Sequence, residues 1–273
     1  METKKNETGS YLPTPNPQLP TTFPPVLSPE SHFRQQGLSP LTWEEVLAIV
    51  EQKLTPTETQ TFQRLHRAFA AYPVAHTVRG FYDFAAQRDL LPLLAGFRFD
   101  RLVNIAGALS TFDFTGKRVL DYGAGGGYLA AYLRALGAEV VVDDHSATTL
   151  RRLEQYGHKL LGENTNAFDV ILCADSLGEI NADEDDWLAT PENLDDPDYP
   201  RELEARYGFA EKLAGFQDPA GRARLAPGGS ILIFEPIPLP HFWTGAARAL
   251  EAAGWSAELL GPHPVMGLKL TPV

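Results

Sequence analysis

The amino-acid sequence predicts an α/β fold: a seven-stranded, mostly parallel sheet with helices on both faces, preceded by an N-terminal helical cap. Three observations predict it. From Gly116 onward, short apolar runs alternate with amphipathic stretches of helical length, the pattern of successive strand-helix-strand units. The first of those runs, Lys117-Arg-Val-Leu-Asp-Tyr122, passes straight into Gly123-x-Gly125-x-Gly127 and then into the helical stretch Tyr128-Leu-Ala-Ala-Tyr-Leu-Arg-Ala-Leu136. Glycines so spaced let the backbone turn sharply at a strand's carboxyl end and leave bare main chain for a ligand. Between Thr42 and Phe112, finally, apolar residues recur at helical spacing with no strand-like alternation.

Taken in order, residues 1–40 hold Pro13, Pro15, Pro17, Pro20, Pro24, Pro25, Pro29 and Pro40 among serines and threonines, a composition that buries too little surface to offset its ordering entropy. Most of this segment is expected to be an extended or disordered arm. Residues 41–115 form the helical cap. Thr42-Trp-Glu-Glu45 and Thr55-Pro-Thr-Glu58 each place a threonine at a helix cap and a glutamate three residues on. Phe62, Leu65, Phe69, Phe81, Phe84, Leu90, Leu91 and Leu94 supply a buried stripe, interrupted near Pro73 and Pro92. These helices are expected to cover the glycine loop.

Residues 116–273 carry the sheet. Strands are predicted at 117–122, 139–143, 158–161, 168–173 and 230–235, the last preceded by a turn at Arg224-Leu-Ala-Pro-Gly-Gly229; helices follow at about 128, over 147–156 and over 243–253. Ser256-Ala-Glu-Leu-Leu260 and Gly267-Leu-Lys-Leu-Thr271 supply the last two strands. Residues 181–227 far exceed an ordinary connection of about 2–6 residues plus one helix. Lying beside the strands' carboxyl ends, where open parallel sheets bind ligands, this insertion reads as a substrate lid, with a helix from Arg201 to Phe216. Its acidic run Asp183-Glu-Asp-Asp186 lacks the glycine and the spaced glutamate of a calcium loop, so a solvated face is expected there and no metal site.

Composition narrows the function. A net charge of −12 and the absence of any Lys/Arg cluster longer than a pair argue against a nucleic-acid partner and for a small-molecule substrate. No run approaches the ~18 uninterrupted apolar residues of a membrane span, and the first ten residues lack a signal peptide's apolar core. A single cysteine, Cys173 in the apolar run Phe168–Cys173, suits a core position in a protein of the reducing cytoplasm. The sequence leaves oligomeric state open.

The strand-Asp121-x-Gly123-x-Gly125-x-Gly127 segment resembles motif I of the class I S-adenosylmethionine-dependent methyltransferases, which have a Rossmann-like sheet. A rival dinucleotide fold is met by Gly125-Gly-Gly-Tyr-Leu-Ala130, which satisfies Gly-x-Gly-x-x-Ala. An acid inside the strand end repels a pyrophosphate but suits the ammonium of a methionyl group, so Asp121 favours S-adenosylmethionine as cofactor. The resemblance implies that Asp121, Gly123, Ala124, Gly125 and Gly127 hold the methionyl end, that Asp144 takes the ribose hydroxyls, with Asp143 the alternate one register step away, and that His145 lines the adenine edge. Asp175 and Ser176, after the fourth strand, occupy the position that faces adenine and substrate. The sequence departs from the pattern after the third strand, where Glu163 or Asn164 must stand in for the usual adenine-facing acid.

Methyl transfer from a sulfonium is an in-line displacement that needs alignment and exclusion of water rather than a protein nucleophile. A hydroxyl or ammonium acceptor also benefits from a general base. Glu179 and His241 are the candidates, with Glu235 at the end of the fifth strand also within the set of positions facing the methyl. Glu179 equally suits a helix N-terminus, and His241 a helix cap. Tyr82 either packs within its helix or closes over the methionyl end. The expected activity is methyl transfer to an oxygen or nitrogen of a small molecule, the acidic insertion suiting a neutral or cationic acceptor. The alternative is a catalytically silent cofactor-binding scaffold or partner subunit.

Overall fold

The computed structural model describes residues 27–71, 75–162, 166–177, 208–217, 223–235, 240–261 and 266–273. Of the expected arm, residues 1–26 lie outside the described set, but its end is folded: α1 spans Pro29–Gln35. Ser28 caps α1 by accepting from the Ser31 amide at 3.3 Å, Pro29 occupies the first helical turn, where a missing N–H costs nothing, and Phe33 is fully buried against Phe99 and Tyr132.

Five helices follow: α2 (Trp43–Lys53), α3 (Pro56–Ala71), α4 (Ala75–Gln87), α5 (Leu91–Phe97) and α6 (Phe99–Leu109). Both threonine starts are reciprocal capping boxes. Thr42 N donates to Glu45 Oε2 at 2.7 Å while Glu45 N donates to Thr42 Oγ1 at 3.2 Å, and Thr55 and Glu58 repeat the exchange at 3.0 and 3.3 Å. The break expected near Pro92 is the start of α5, with the proline in its first turn; Pro73 lies outside the described residues. Helices α2–α5 bury Val46, Val50, Phe62, Phe81, Leu90 and Leu94 in a core of their own, whereas α1 and α6 pack toward the sheet.

The sheet has seven strands: β1 (Arg118–Tyr122), β2 (Glu139–Asp143), β3 (Lys159–Leu160), β4 (Asn166–Ala174), β5 (Ala223–Phe234), β6 (Trp255–Leu260) and β7 (Gly267–Pro272). Their order is β3-β2-β1-β4-β5-β7-β6; β7 runs antiparallel to both β5 and β6, and every other pairing is parallel. Helices α7 (Tyr128–Ala135) and α8 (Ala147–Gln155) connect the first three strands. With α6 they bury one face, on which Val119, Val140, Val142, Leu172 and Leu232 alternate with the residues of the other. The opposite face, bearing Leu120, Val141, Ile171, Ile231 and Leu268, packs on α9 (Phe209–Ala214) and α10 (Pro240–Ala252). Cys173 lies there, fully buried, as a core residue.

The turn expected ahead of the fifth strand sits inside it. Ala223–Leu225 already pair with Asn166–Phe168, the register shifts, and Ser230–Phe234 then pair with Val170–Ala174. Ala-Pro-Gly-Gly is thus an irregularity in a longer strand, and a Cβ on Gly229 would lie 2.9 Å from the Asp169 carbonyl. Of residues 181–227, 181–207 and 218–222 lie outside the described set, and the expected helix 201–216 is represented by α9. Phe209 and Leu213 of α9 are fully buried.

Candidate active site at the carboxyl ends of the strands

Register brings the acids that follow β2, β4 and β5 to one end of the sheet, with Asp121 of β1 two to three residues below them. Tyr122 pairs with Asp143 and with Cys173, and Cys173 pairs with Ile233, so the next residues along (Gly123, Asp144, Ala174 and Phe234) lie side by side, with Asp175 and Glu235 just beyond.

The first half of the site is the glycine loop. Gly123, Gly125 and Gly127 have φ of +75°, +52° and +75°, values that L side chains rarely adopt. The loop is tied to β2 by Gly123 N and Ala124 N, which donate to the Asp143 carbonyl at 2.9 and 3.0 Å. The Asp144 carboxylate holds it from the side. Oδ2 accepts from Gly125 N at 3.0 Å and Oδ1 from Ser146 N at 2.9 Å, and the His145 ring nitrogen Nδ1 stands 3.5 Å from Oδ1. Burial raises the Asp144 pKa, against these amides. Asp143, one step back, is also buried, and Val141, two residues before it on the same face, packs in the α9–α10 core.

Asp121 is 2% exposed, beneath the start of α7. The cap residue of that helix, Gly127, offers no side chain, and the Ala130 amide acts on the Asp121 carboxyl instead. Burial nevertheless pushes its pKa up to about 7, with Asp144 adding to the rise, and Oδ2 has no hydrogen-bond partner among the described residues.

The second half joins the sheet to the cap. Asp175 has φ +54°, unusual for a residue with a side chain, and its amide donates to the Phe234 carbonyl at 2.8 Å. Its carboxylate is taken by two arginines: Arg98 Nη1 donates to Oδ2 at 3.0 Å, and Arg101 forms a bidentate pair through Nε at 2.8 and 2.9 Å and through Nη2. Arg101 Nη2 also reaches the Phe234 carbonyl at 3.2 Å. Asp175 is therefore turned to the cap. Ser176 packs on the glycine loop instead; a Cβ added to Gly123 would collide with the Ser176 Cβ, and Ser176 Oγ is buried without a hydrogen-bond partner among the described residues.

Glu235, 2% exposed, accepts from the Ser176 and Leu177 amides at 2.9 and 2.7 Å, both through Oε1, while Oε2 is buried and unpartnered among the described residues. Burial, then the Asp175 charge, raises its pKa to about 8. Tyr82 faces the same cluster, its hydroxyl pKa raised by burial. Arg98 and Arg101 were not anticipated from sequence. The available signal was two cations at the start of α6, where the helix dipole disfavours them unless a carboxylate lies opposite.

Of the expected bases, Glu179 lies outside the described residues, as do Glu163 and Asn164. His241 falls in the first turn of α10, which begins three residues earlier than expected because Pro240 is tolerated there; the His241 side chain lies outside the description. Among the described residues no group of His, Cys, Asp and Glu is arranged to hold a metal ion.

The cap closes on the loop at a second point. Arg152 of α8 donates through Nε to the Ala86 carbonyl at 2.6 Å and pairs through Nη1 with Asp89 at 2.5 Å. A cleft lined by Asp89, Leu91, Gly125, Tyr128, Arg152 and Tyr156 remains between them.

The glycine turn after β1 and the acid after β2 are shared with the 3-2-1-4-5-6 dinucleotide sheet, whereas the antiparallel β7 between β5 and β6 departs from it. Residues 94–194 match a family model described as a methyltransferase domain. Over those residues the chain is similar to a methyltransferase domain, here carried on a Rossmann-like sheet. No curated protein matches the chain. Among solved structures, a DhpI–S-adenosylhomocysteine complex is 17% identical over 70% of this chain and 93% of its own, with a TM-score of 0.47. A methyltransferase from Aquifex aeolicus is 19% identical over 61% of this chain and 88% of its own, with a TM-score of 0.38. The 16S rRNA N2 G1207 methyltransferase of T. Thermophilus is 19% identical over 63% of this chain and 42% of its own, with a TM-score of 0.36. Likeness this distant carries nothing about the acceptor.

Proposed function

We propose that the chain transfers a methyl group to an oxygen or nitrogen of a small molecule seated between the glycine loop and the helical cap. The observation that carries this reading is the double closure of the cap over the strand ends, through Arg98 and Arg101 on Asp175 and through Arg152 on Ala86 and Asp89. A site roofed in this way favours a compact acceptor over a polymer, and the net charge of −12 weighs against nucleic acid.

The residues present fit the cofactor. At Gly125 a Cβ would meet nothing within 4 Å, so the loop leaves open space in front of bare main chain, and Asp121 Oδ2 and Ser176 Oγ are polar atoms still without partners among the described residues. Bound there, S-adenosylmethionine supplies an electrophilic methyl on a sulfonium. In this reading Asp144 accepts from the ribose hydroxyls while its amide bonds keep it aimed, and His145 borders the adenine. Gly123, Ala124, Gly125 and Gly127 form the floor under the methionyl end, and Asp121 sets a negative potential beneath its ammonium. Ser176 forms the facing wall; Asp175 contributes by fixing that wall rather than by contact. Glu179 or His241 takes the acceptor proton, and the part of the insertion ahead of α9 excludes water as a lid, because α9 and residues 223–227 belong to the core and to β5.

Release of S-adenosylhomocysteine on incubation with S-adenosylmethionine and a pooled metabolite extract tests this reading. Cofactor binding in calorimetry with no release from any pool would favour the silent scaffold.

A further inference from the structure

We propose that Glu235 is a positioning residue for methyl transfer: it locks the Asp175–Leu177 turn against the glycine loop and so fixes the wall of the cofactor site. The inference rests on the functional reading above and deepens it at a residue whose hydrogen bonds go to the backbone of the Asp175–Leu177 turn.

The turn is held from every side. Glu235 Oε1 gathers the Ser176 and Leu177 amides at 2.9 and 2.7 Å. The Phe234 carbonyl takes the Asp175 amide at 2.8 Å, Arg98 and Arg101 hold the Asp175 carboxylate, and Lys212 of α9 donates to the Leu177 carbonyl at 2.9 Å. This set keeps Asp175 at φ +54°, and it drives Ser176 so close to Gly123 that no side chain fits between. Removing Glu235 orphans two amides, one of them buried, which is the costliest way to lose a hydrogen bond.

The groups facing Glu235 are Asp175, Arg98 and Arg101, with Tyr82 from α4 and Cys173 from β4. Burial raises the Tyr82 and Cys173 pKa values above their already high ordinary ones, so both stay protonated near neutrality. Glu235 is held protonated up to about pH 8 while the turn is closed, and an opened turn lets it ionise nearer its ordinary 4.5. The closed turn binds the extra proton. It is therefore most stable below pH 4.5 and becomes easier to open as pH rises through 8, levelling off above.

Amide hydrogen exchange of the full chain, corrected for intrinsic rate, reads the opening directly. Protection at Ser176 and Leu177 should fall by up to about tenfold per pH unit between pH 5 and 8. Glu235→Gln keeps an acceptor oxygen but cannot ionise; it should retain protection, flatten that slope and bind S-adenosylhomocysteine as the wild type does. Glu235→Leu should lose protection at both amides and weaken S-adenosylhomocysteine binding by about tenfold or more. The same slope in Glu235→Gln as in the wild type would overturn the inference, and so would unchanged affinity in a folded Glu235→Leu chain. If Glu235→Leu does not fold, the Glu235→Gln slope alone decides. A wild-type chain that does not bind S-adenosylhomocysteine would overturn the functional reading together with this one, whereas binding without the Glu235 effects removes only this one.

Discussion

Asp144 and Asp143 are neighbours with opposite surroundings, and the difference can be measured. Asp144 bonds the glycine loop through its carboxylate, to Gly125 N, whereas the backbone carbonyl of Asp143 takes Gly123 N and Ala124 N. A hydrogen bond to a charged group contributes about 1.5–3 kcal/mol, so Asp144→Asn should weaken S-adenosylhomocysteine binding by roughly one to two orders of magnitude. Asp143→Asn should change it much less, and calorimetry on both variants checks the assignment; equal losses would remove it. Asp121 gives a pH signature. Its folded pKa is raised from 3.8 to about 7, so its contribution to stability is fully present below pH 4 and is lost as pH rises through 7. Asp121→Asn should flatten stability between pH 4 and 7, gaining on the wild type by a few kcal/mol at pH 8, as read from urea midpoints at several pH values. Both acids were legible in the sequence because they sit at fixed distances from the glycines. Arg98 and Arg101 were not, since their partner lies 77 and 74 residues away and only the folded sheet brings Asp175 to the start of α6.

At the scale of elements, local signals were readable where one interaction dominates. The two threonine-glutamate boxes marked the starts of α2 and α3, and short apolar runs marked β1, β2 and β4. The end of the arm was misread because residues 1–40 were judged together on their average composition. In Ser28-Pro29-Glu30 the proline occupies a helical first turn behind a serine cap, and the burial of Phe33 supplies the stabilisation that composition concealed. The long β5 was cut short because Ala-Pro-Gly-Gly reads as a turn, whereas parallel pairing resumes on both sides of it. How the cap meets the rest of the chain was expected only in outline; beside Arg98 and Arg101 on Asp175, Arg152 is a second tie. Its Nε bond to the Ala86 carbonyl contributes about 1 kcal/mol, and the Asp89 ion pair less, because Asp89 is half exposed. Arg152→Ala should therefore cost about 1 kcal/mol globally while raising hydrogen exchange chiefly in α4, α5 and the turn between them. Exchange that rises evenly across the sheet would show that the cap and sheet open as one unit.

For the whole molecule, β7 is the feature that separates two readings left open by the glycine pattern. A dinucleotide sheet continues in parallel past its fifth strand; here the chain passes β6 and returns antiparallel between β6 and β5. The sequence offered two final apolar runs but nothing that fixed their direction, which depends on how each pairs in space. No described helix is long and apolar enough to cross a membrane. The insertion between β4 and β5 is where the whole-molecule argument meets catalysis. Its far end is not exchangeable, because Phe209 and Leu213 of α9 are fully buried and Phe216 is nearly so, all three in the core shared with α10. A deletion running to residue 215 would break that core and confuse loss of fold with loss of function. Replacing residues 181–205 by a short Gly-Ser linker avoids this and leaves Asp121, the glycine loop, Asp144 and Glu235 in place. If the segment closes over the acceptor, S-adenosylhomocysteine affinity should stay within about threefold of the wild type while turnover falls by about a hundredfold or more, as water enters and alignment is lost. Undiminished turnover would take the segment out of the mechanism. Lost cofactor binding in a chain with unchanged thermal unfolding would place it in the cofactor site instead.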